Sequence, residues 1–297
     1  MQQNHTECKF STDSWVILSP IEQSIKNKIE SVGTQLKDWD INIYRGVLTG
    51  CNEAFIIPNQ KREEILANCK TEDEMQRTAE LIRPILRGRD IKRYGYEFAD
   101  LYLIGTFPSR HYDIEQYPAV KEYLLSFGME RLEQTGKEYI INGQKVKARK
   151  KTNNKWFETQ DSISYWEDFE KQKIVYAEIS KEPKFYLDIE EHFYPEATSF
   201  LMVGNDLKYL CVLFHSKPIT YFFKHFYAGG GLGENGYRYK KAFFENLPIP
   251  KYSNTTEQEA IKEFNEKHPL FEDDKLDNLI YKLYNLSIEE ITEIERI

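Results

Sequence analysis

The stretch IYRGVLTGCNEAFII, at residues 43–57, sets two glycines between apolar residues. Gly46 and Gly50 suit tight backbone geometry, and the polar Thr49 and Asn52 stand at the bend. The pattern predicts a strand, a turn and a second strand, in which the glycines serve the turn geometry and the two polar side chains cap it.

A second stretch, ILRGRDIKRY at residues 85–94, follows about one helix later. It carries Arg87, Arg89, Lys92 and Arg93 beside a glycine. Guanidinium and ammonium groups bind phosphate oxygens, so this density of cations predicts a surface that meets phosphates. Charge runs are also common on ordinary solvated faces, and that interpretation stays open here.

The composition is that of a folded chain. Aromatic residues make up 14% of its 297 residues, whereas a disordered chain is poor in them. The formal net charge is −8, and from Ser253 onward 12 acidic residues face 5 basic ones. This average does not exclude a nucleic-acid partner, because a binding groove needs only local positive charge.

The strongest local positive charge lies at residues 145–155, which hold six basic residues and no acid. Arg149, Lys151, Asn153 and Asn154 stand close together in this run. Side chains with paired donors and acceptors can read base edges in a DNA groove. The run is therefore either a recognition loop or a solvated hairpin.

Local signals divide the chain and give the fold class α+β. Ser19 with Glu22, and Ser287 with Glu290, predict helices that begin with capping boxes. β-branched and aromatic runs between them predict strands. The predicted parts are an N-terminal segment and linking helix over residues 1–40, a β-rich domain with inserted helices over 41–252, and a C-terminal α-helical appendix over 253–297.

Two apolar segments predict buried helices near the end of the chain. The segment from Leu207 to Phe223 is long enough for one buried helix. The appendix carries a helical apolar stripe made of Leu276, Leu279, Ile280, Leu283 and Tyr284. This stripe packs either on its own domain or on a neighbouring segment.

No catalytic constellation stands out in the sequence. There is no Pro-Pro dipeptide, so the Asp/Asn-Pro-Pro-Tyr loop that activates an exocyclic amino group is missing. Glu182-Pro183-Lys184, with Asp168 upstream, fits the acid and acid-x-Lys pattern of a Mg²⁺-dependent nuclease weakly, and a turn at a strand end is the ordinary interpretation. No catalytic residue is predicted for this chain.

Cysteine spacing and hydropathy exclude other classes of site. The four cysteines are widely separated, so neither a disulfide framework nor a zinc site is indicated. No apolar run is long enough for a membrane span, and the N-terminus is polar rather than a signal peptide. We therefore expect a cytoplasmic protein with no metal ion and no membrane partner.

The two opening stretches resemble the specificity region of TaqI-type adenine DNA methyltransferases, and above all that of type IIG restriction–modification enzymes. The resemblance covers about residues 15–297, nearly the whole chain. Besides residues 44–55 and 86–94, the segments that carry it, in the same order, are KTNNKWF at 151–157, KIVYAEI at 173–179, GYRY at 236–239, LPIP at 247–250 and DNLIYKLYNL at 277–286.

The resemblance implies a curved, β-rich target-recognition domain that reads double-stranded DNA and is anchored by helices. It also implies methyltransferase and nuclease domains, in the same polypeptide or in a partner subunit. S-adenosylmethionine and Mg²⁺ are expected in those upstream domains and no cofactor in this chain, which departs from the full-length pattern because the catalytic core is missing. A C-terminal fragment or one subunit of a split system is expected.

The sequence and the resemblance together predict a DNA recognition module that positions DNA for methylation or cleavage. Phosphate contacts are predicted for Arg87, Arg89, Lys92, Arg93, Arg238 and Lys240, the last two across the groove from the others. Base contacts are predicted for Arg149, Lys151, Asn153 and Asn154. The resemblance implies that both opening stretches hold and position the DNA, and the choice of sequence is expected between Gly105 and Trp156.

Two other functions stay open. One is a chain with nuclease or methyltransferase activity of its own, which product formation by the isolated chain would reveal. The other is a protein-interaction module, in which the acidic tail and the 276–284 stripe dock a partner subunit.

Overall fold

A computed structural model describes residues 18–233, 236–267 and 273–296. The chain is α+β, as predicted, and forms two compact units. The helical unit comprises Met1–Ile41, Ile179–Pro183 and Asn205–Ile297, and the sheet unit comprises Asn42–Glu178 and Lys184–Gly204. This division differs from the predicted one, because residues 205–252 pack with the terminal helices instead of with the β-rich part.

The helical unit is built from helices at both ends of the chain. They span Pro20–Val32, Leu207–Phe214, Lys217–Phe222, Lys241–Phe244, Thr256–Lys267, Asp273–Leu283 and Ile288–Ile294, with a π-helix at Phe223–Tyr227. Its short strands pair as Thr34–Gln35 with Pro248–Ile249 and as Ile179–Ser180 with Tyr237–Arg238. No helix in the described ranges is long and apolar enough to cross a membrane.

Both predicted capping boxes are confirmed. The Ser19 hydroxyl accepts from the amide of Glu22 at 3.3 Å, and the Glu22 carboxylate accepts from the amide of Ser19 at 2.7 Å. Ser287 and Glu290 repeat this arrangement with the same two distances. A cap depends only on residues three apart, so a local sequence pattern suffices to predict it.

The predicted single helix from Leu207 to Phe223 is wrong. The first helix ends at Phe214, and a second begins at Lys217. The Ser216 hydroxyl accepts from the amide of Ile219 at 3.3 Å and caps the second helix. Because Pro218 has no N–H group to donate, the chain restarts there instead of continuing.

The apolar stripe of the C-terminal appendix packs inside its own unit. Leu276, Ile280 and Tyr284 are fully buried. The Tyr284 hydroxyl donates to the carbonyl oxygen of Pro248 at 2.9 Å, and its ring lies 5.1 Å from that of Phe222. Of the two options for the stripe, the structure shows packing on its own domain.

The sheet unit contains two four-stranded sheets. The strand order of the first is Phe185–Asp188, Lys173–Ala177, Ser199–Gly204 and Ile41–Arg45, and that of the second is Tyr194–Pro195, Ile82–Leu86, Leu101–Ile104 and Ile56–Pro58. Two-stranded ribbons pair Ile91–Lys92 with Gly95–Tyr96 and Glu138–Ile141 with Gln144–Lys147. The α-helices of this unit span Asn52–Phe55, Asn59–Ala67, Glu72–Leu81, Pro118–Leu125 and Met129–Leu132.

The first stretch is not a plain strand, turn and strand. Strands do lie at both of its ends, but a helical turn at Asn52–Phe55 stands between them. The carbonyl oxygen of Cys51 accepts from the amides of Ala54 and Phe55 at 3.1 and 3.2 Å and holds that turn. Phe55 is fully buried in the core of the sheet unit, so the turn aims an apolar anchor inward.

Candidate nucleic-acid interface

The turn of the first stretch depends on close backbone approach. Gly50 has a φ of +75°, and a Cβ atom at Gly46 would lie 2.2 Å from the carbonyl oxygen of Glu196. The Thr49 hydroxyl donates to the side-chain oxygen of Asn52 at 2.6 Å. Left-handed backbone and a tight approach both favour glycine, and the two polar side chains close the turn.

Arg149 is buried beneath this turn, with only 2% of its surface exposed. Its guanidinium donates to the carbonyl oxygens of Thr49, Leu132, Glu158 and Trp156 at 2.9, 2.8, 2.7 and 2.5 Å. Burial lowers the pKa of Arg149 to about 10, so the group stays charged at neutral pH. This burial argues against the predicted base contact, because reaching a base edge would strip these carbonyls of their donors.

The bonds of Arg149 join three segments that are distant in sequence. They reach the first stretch, the helix that ends at Leu132, and the loop after residue 155. Arg149 thus anchors the 145–155 run to these three segments through hydrogen bonds.

The run begins in a hairpin, Glu138–Ile141 with Gln144–Lys147. Asn142 and Gly143 form its tip with φ values of +50° and +79°. Positive φ at both central residues gives the turn that matches the twist of a two-residue hairpin. Ile140 pairs with Lys145 across the ribbon and is 77% exposed, so an apolar side chain stands in solvent beside a cation.

Lys145, Lys147 and Lys150 line one shallow cleft of ≈ 440 Å³ together with Arg131. We call this the lysine cleft, and no acidic residue is among the described residues that line it. The three lysines are exposed and form no ion pair within the described ranges, whereas Arg131 pairs with Glu53. The three lysines were not among the predicted contacts, although a run without acids was a signal for them.

The predicted base-contacting residues after Arg149 differ in their freedom. Lys151 and Asn153 are exposed. The side-chain amide of Asn154 donates to the carbonyl oxygens of Thr159 and Gln160 at 3.2 and 2.9 Å, so both of its N–H groups are used within the loop. Lys151 and Asn153 are thus the members of the predicted set whose side chains face solvent.

In the second stretch, Arg87 is locked by Asp90. Two guanidinium nitrogens of Arg87 donate to the carboxylate of Asp90 at 2.8 and 2.7 Å, and the Arg87 amide donates to it at 3.0 Å. Burial alone would raise the pKa of Asp90, but these hydrogen bonds outweigh it and the pKa lies below its usual value. Arg87 is consequently engaged inside the protein.

The other predicted phosphate contacts of this stretch are more open. Lys92 pairs with Glu97 at 2.9 Å, where the Lys92 side chain is 40% exposed and that of Glu97 is 77% exposed. The Arg93 guanidinium lies 5.4 Å from the ring of Tyr94. Arg89 is exposed and makes no ion pair within the described part of the chain, so it is the readiest of the four to meet a phosphate.

Arg238 and Lys240 belong to the helical unit. Arg238 lies in the short strand Tyr237–Arg238, and Lys240 is exposed immediately before the helix Lys241–Phe244. Their predicted place across a groove from the second stretch stays a prediction.

No group of three or more His, Cys, Asp and Glu side chains is arranged to hold a metal ion among the described residues. Asp168, the upstream acid of the nuclease pattern, instead forms an ion pair with Lys171 at 2.8 Å.

The chain matches the family described as the TaqI-like C-terminal specificity domain over residues 83–249, more than half of its length. The match includes the second stretch and begins after the first. A comparison with curated proteins finds no match.

The fold is shared with several solved structures, among them two restriction enzymes. The type IIG restriction endonuclease BpuSI is 14% identical, with a TM-score of 0.52, and the similarity covers 93% of this chain and 31% of BpuSI. The type IIL restriction-modification enzyme MmeI, solved in complex with DNA, is 12% identical with a TM-score of 0.56, covering 89% of this chain and 36% of MmeI. The chain spans about a third of the length of these enzymes.

Proposed function

The chain belongs to the TaqI-like C-terminal specificity domain family, and from this premise we propose that it recognises a short site on double-stranded DNA. The lysine cleft is the observation that carries the proposal. Three exposed lysines that form no ion pair within the described part of the chain stand there beside Arg131. Unpaired ammonium groups bind phosphates and release condensed counterions, which favours binding to a duplex.

We assign contacts with bases to the exposed part of the run, namely the 138–147 hairpin, Lys151 and Asn153. A two-stranded β-ribbon fits the major groove, where each base pair presents a distinct pattern of donors and acceptors. The exposed Ile140 suits an apolar contact with a thymine methyl group, and Asn153 suits a paired hydrogen bond with adenine. Arg149 has a structural role in this assignment: its buried hydrogen bonds hold the run in position.

We assign phosphate contacts to the lysine cleft and to Arg89, with Lys92, Arg93, Arg238 and Lys240 as further candidates. Arg87 is the weakest candidate, because a phosphate would have to displace the carboxylate of Asp90. Contacts of this class position the duplex and carry no sequence information directly.

Catalysis, in this proposal, belongs to methyltransferase and nuclease domains of the same polypeptide or of a partner subunit, for which this chain positions the DNA. The length relation to BpuSI and MmeI supports it. S-adenosylmethionine and Mg²⁺ would be held by those domains. Incubating the chain alone with plasmid, Mg²⁺ and S-adenosylmethionine should give neither cleavage nor methylation, and either product would move the catalysis into this chain.

Fluorescence anisotropy with a mixed-sequence duplex, between about 50 and 200 mM salt, tests the DNA contact. The triple variant Lys145→Ala, Lys147→Ala and Lys150→Ala should bind more weakly, and its salt slope should fall by about 2.7, or about 0.9 for each lost contact.

A second triple variant provides the matched control. Lys61, Lys121 and Lys171 are lysines of the same unit that are paired with Glu64, Glu115 and Asp168. Replacing these three with alanine changes the net charge by the same amount. An equal loss of affinity in both variants would reduce the effect to net charge and refute the lysine cleft as the DNA surface.

A further inference from the structure

A second cavity of the sheet unit, ≈ 200 Å³ in volume, is lined by none of the residues to which DNA contacts are assigned above. Its walls combine cationic and aromatic side chains, including Arg77, Arg83, Arg110, Tyr112 and Trp166. We call it the arginine pocket. A pocket with several guanidinium groups and flat rings suits a ligand that is itself flat and carries negative charge.

Arg110 places a cation over the aromatic rings of the pocket. Its guanidinium carbon lies 3.7 Å from the ring centre of Trp166 and 5.4 Å from that of Tyr112. Arg110 is exposed, and it forms neither an ion pair nor a hydrogen bond through its side chain within the described ranges. A guanidinium group that lies over an indole ring can also offer its other side to a nucleobase, which stacks on guanidinium planes.

Arg77 and Arg83 supply hydrogen-bond donors that lack an acceptor. The Nε atom of each is buried and has no hydrogen-bond partner. Other nitrogens hold the two side chains in place: Arg77 donates to the carbonyl oxygen of Gln116 at 3.3 Å, and Arg83 to the carboxylate of Glu170 at 2.7 Å. Arg77 keeps a terminal guanidinium nitrogen for an anionic ligand, because its bond to Gln116 uses only one of the two, whereas Arg83 is already held by Glu170.

The acidic residues of the pocket leave it able to accept an anion. Glu170 is neutralised by Arg83 and also accepts from the Tyr194 hydroxyl at 2.7 Å. Glu80 is the other acid in the walls, against three arginines. The charged residues of the pocket therefore sum to a net positive charge.

We propose that the arginine pocket binds a single nucleotide, whose base stacks on the Arg110 guanidinium and whose phosphate accepts a hydrogen bond from Arg77. The volume admits one base and not a paired step of a duplex. The nucleotide is either free in solution or an unstacked residue of DNA, and only the second source rests on the DNA recognition proposed above.

Two titrations of the full chain test the proposal. The first is calorimetry with each of the four 2′-deoxynucleoside 5′-monophosphates and with inorganic phosphate. We expect saturable binding of at least one monophosphate, and an affinity for phosphate alone that is lower by about tenfold, because stacking is lost. The second compares a duplex carrying one unpaired nucleotide with the fully paired duplex.

Arg110→Ala separates the sources, and Arg62→Ala is its matched control. Arg62 also lies over a tyrosine ring, at 5.0 Å from Tyr102, and has a buried Nε without a partner, but it does not line the pocket. A drop of about tenfold in monophosphate affinity for Arg110→Ala alone, together with no preference of the wild type for the duplex with an unpaired nucleotide, identifies a free nucleotide. Loss of the preference for the unpaired nucleotide identifies DNA as the source.

The proposal is overturned if Arg110→Ala changes neither titration, or if Arg62→Ala changes them equally. The triple lysine variant separates failure of the pocket proposal from failure of the proposal that the lysine cleft binds duplex DNA. If DNA recognition by the lysine cleft is wrong but the pocket is real, no variant alters binding to a paired duplex, and the monophosphate titration still responds to Arg110→Ala.

Discussion

Two basic runs of the sheet unit can be compared. The first run, residues 83–93, is Arg83 together with most of the second stretch, and the second run, residues 145–151, is the first part of the 145–155 run. Their cations lie in different surroundings. In the first run, three cations face carboxylates: Arg83 with Glu170, Arg87 with Asp90 and Lys92 with Glu97. In the second run the lysines remain unpaired and the single arginine is buried. Two runs of similar charge density thus offer different numbers of available cations.

Availability matters because a paired cation must give up a carboxylate before it can bind a phosphate. A bidentate pair such as Arg87 with Asp90 already has the geometry and charge that a phosphate would offer. An exposed lysine without a partner loses only water and counterions when it binds. The difference indicates that the second run supplies most of the electrostatic attraction for DNA, and that the first mainly holds its own loop together.

The largest effect that would sharpen this comparison is expected at Arg149. Replacing it with methionine leaves four carbonyl groups without their donor, at about 1–3 kcal/mol for each buried group that stays unsatisfied. We expect the free energy of unfolding to fall by about 3–5 kcal/mol, measured by urea denaturation followed by circular dichroism.

Lys150→Ala is the control for this variant, because it removes a neighbouring cation that is exposed. Its free energy of unfolding should stay within about 0.5 kcal/mol of the wild-type value. Full stability of Arg149→Met together with an altered preference for particular DNA sequences is expected only if Arg149 contacts a base. That result would contradict the structural role assigned to Arg149 and with it the comparison of the two runs.

A smaller effect is expected from Arg87 and its neighbour Arg89. Arg87→Met leaves the nearly buried carboxylate of Asp90 without its bidentate partner, which should lower the free energy of unfolding by about 2 kcal/mol. Arg89→Ala should leave stability unchanged and lower the salt slope of DNA binding by about 0.9. The opposite pattern, with stability lost at Arg89 and the slope lost at Arg87, would reverse their assigned roles.

The contrast also shows which features a sequence can reveal. The caps at Ser19 and Ser287 depend on neighbours three residues away, and both were predictable. Arg149 bonds to Thr49, 100 residues earlier, so its burial depends on a contact that no local pattern contains. Arg83 meets Glu170 across 87 residues in the same way.

One general signal was present in the residue types themselves. Arginine offers five donors in a rigid fork, which suits several carbonyl oxygens at once, whereas the ammonium group of lysine is compact and strongly hydrated. Within a mixed basic run, the arginine is therefore the better candidate for a buried support and the lysines for the exposed surface. At residues 145–151 this rule selects Arg149 correctly.

The smallest effect concerns pH and tests the pairing of the first run directly. The pKa of Asp90 in the folded state lies below its usual value, because the hydrogen bonds from Arg87 outweigh the effect of burial. A carboxylate with a lowered folded pKa contributes stability above its unfolded pKa, about 3.9, and this contribution is lost as the pH falls through the folded value. The difference in free energy of unfolding between wild type and Arg87→Met should therefore be largest near neutral pH and shrink below about pH 4. Lys145→Ala, measured across the same pH series, should show no such narrowing, because Lys145 is exposed and forms no ion pair with an acidic residue in the described part of the chain. A constant difference for Arg87→Met down to low pH would mean that the Arg87–Asp90 pair contributes nothing, and that Arg87 is as available for phosphate as the lysines of the second run.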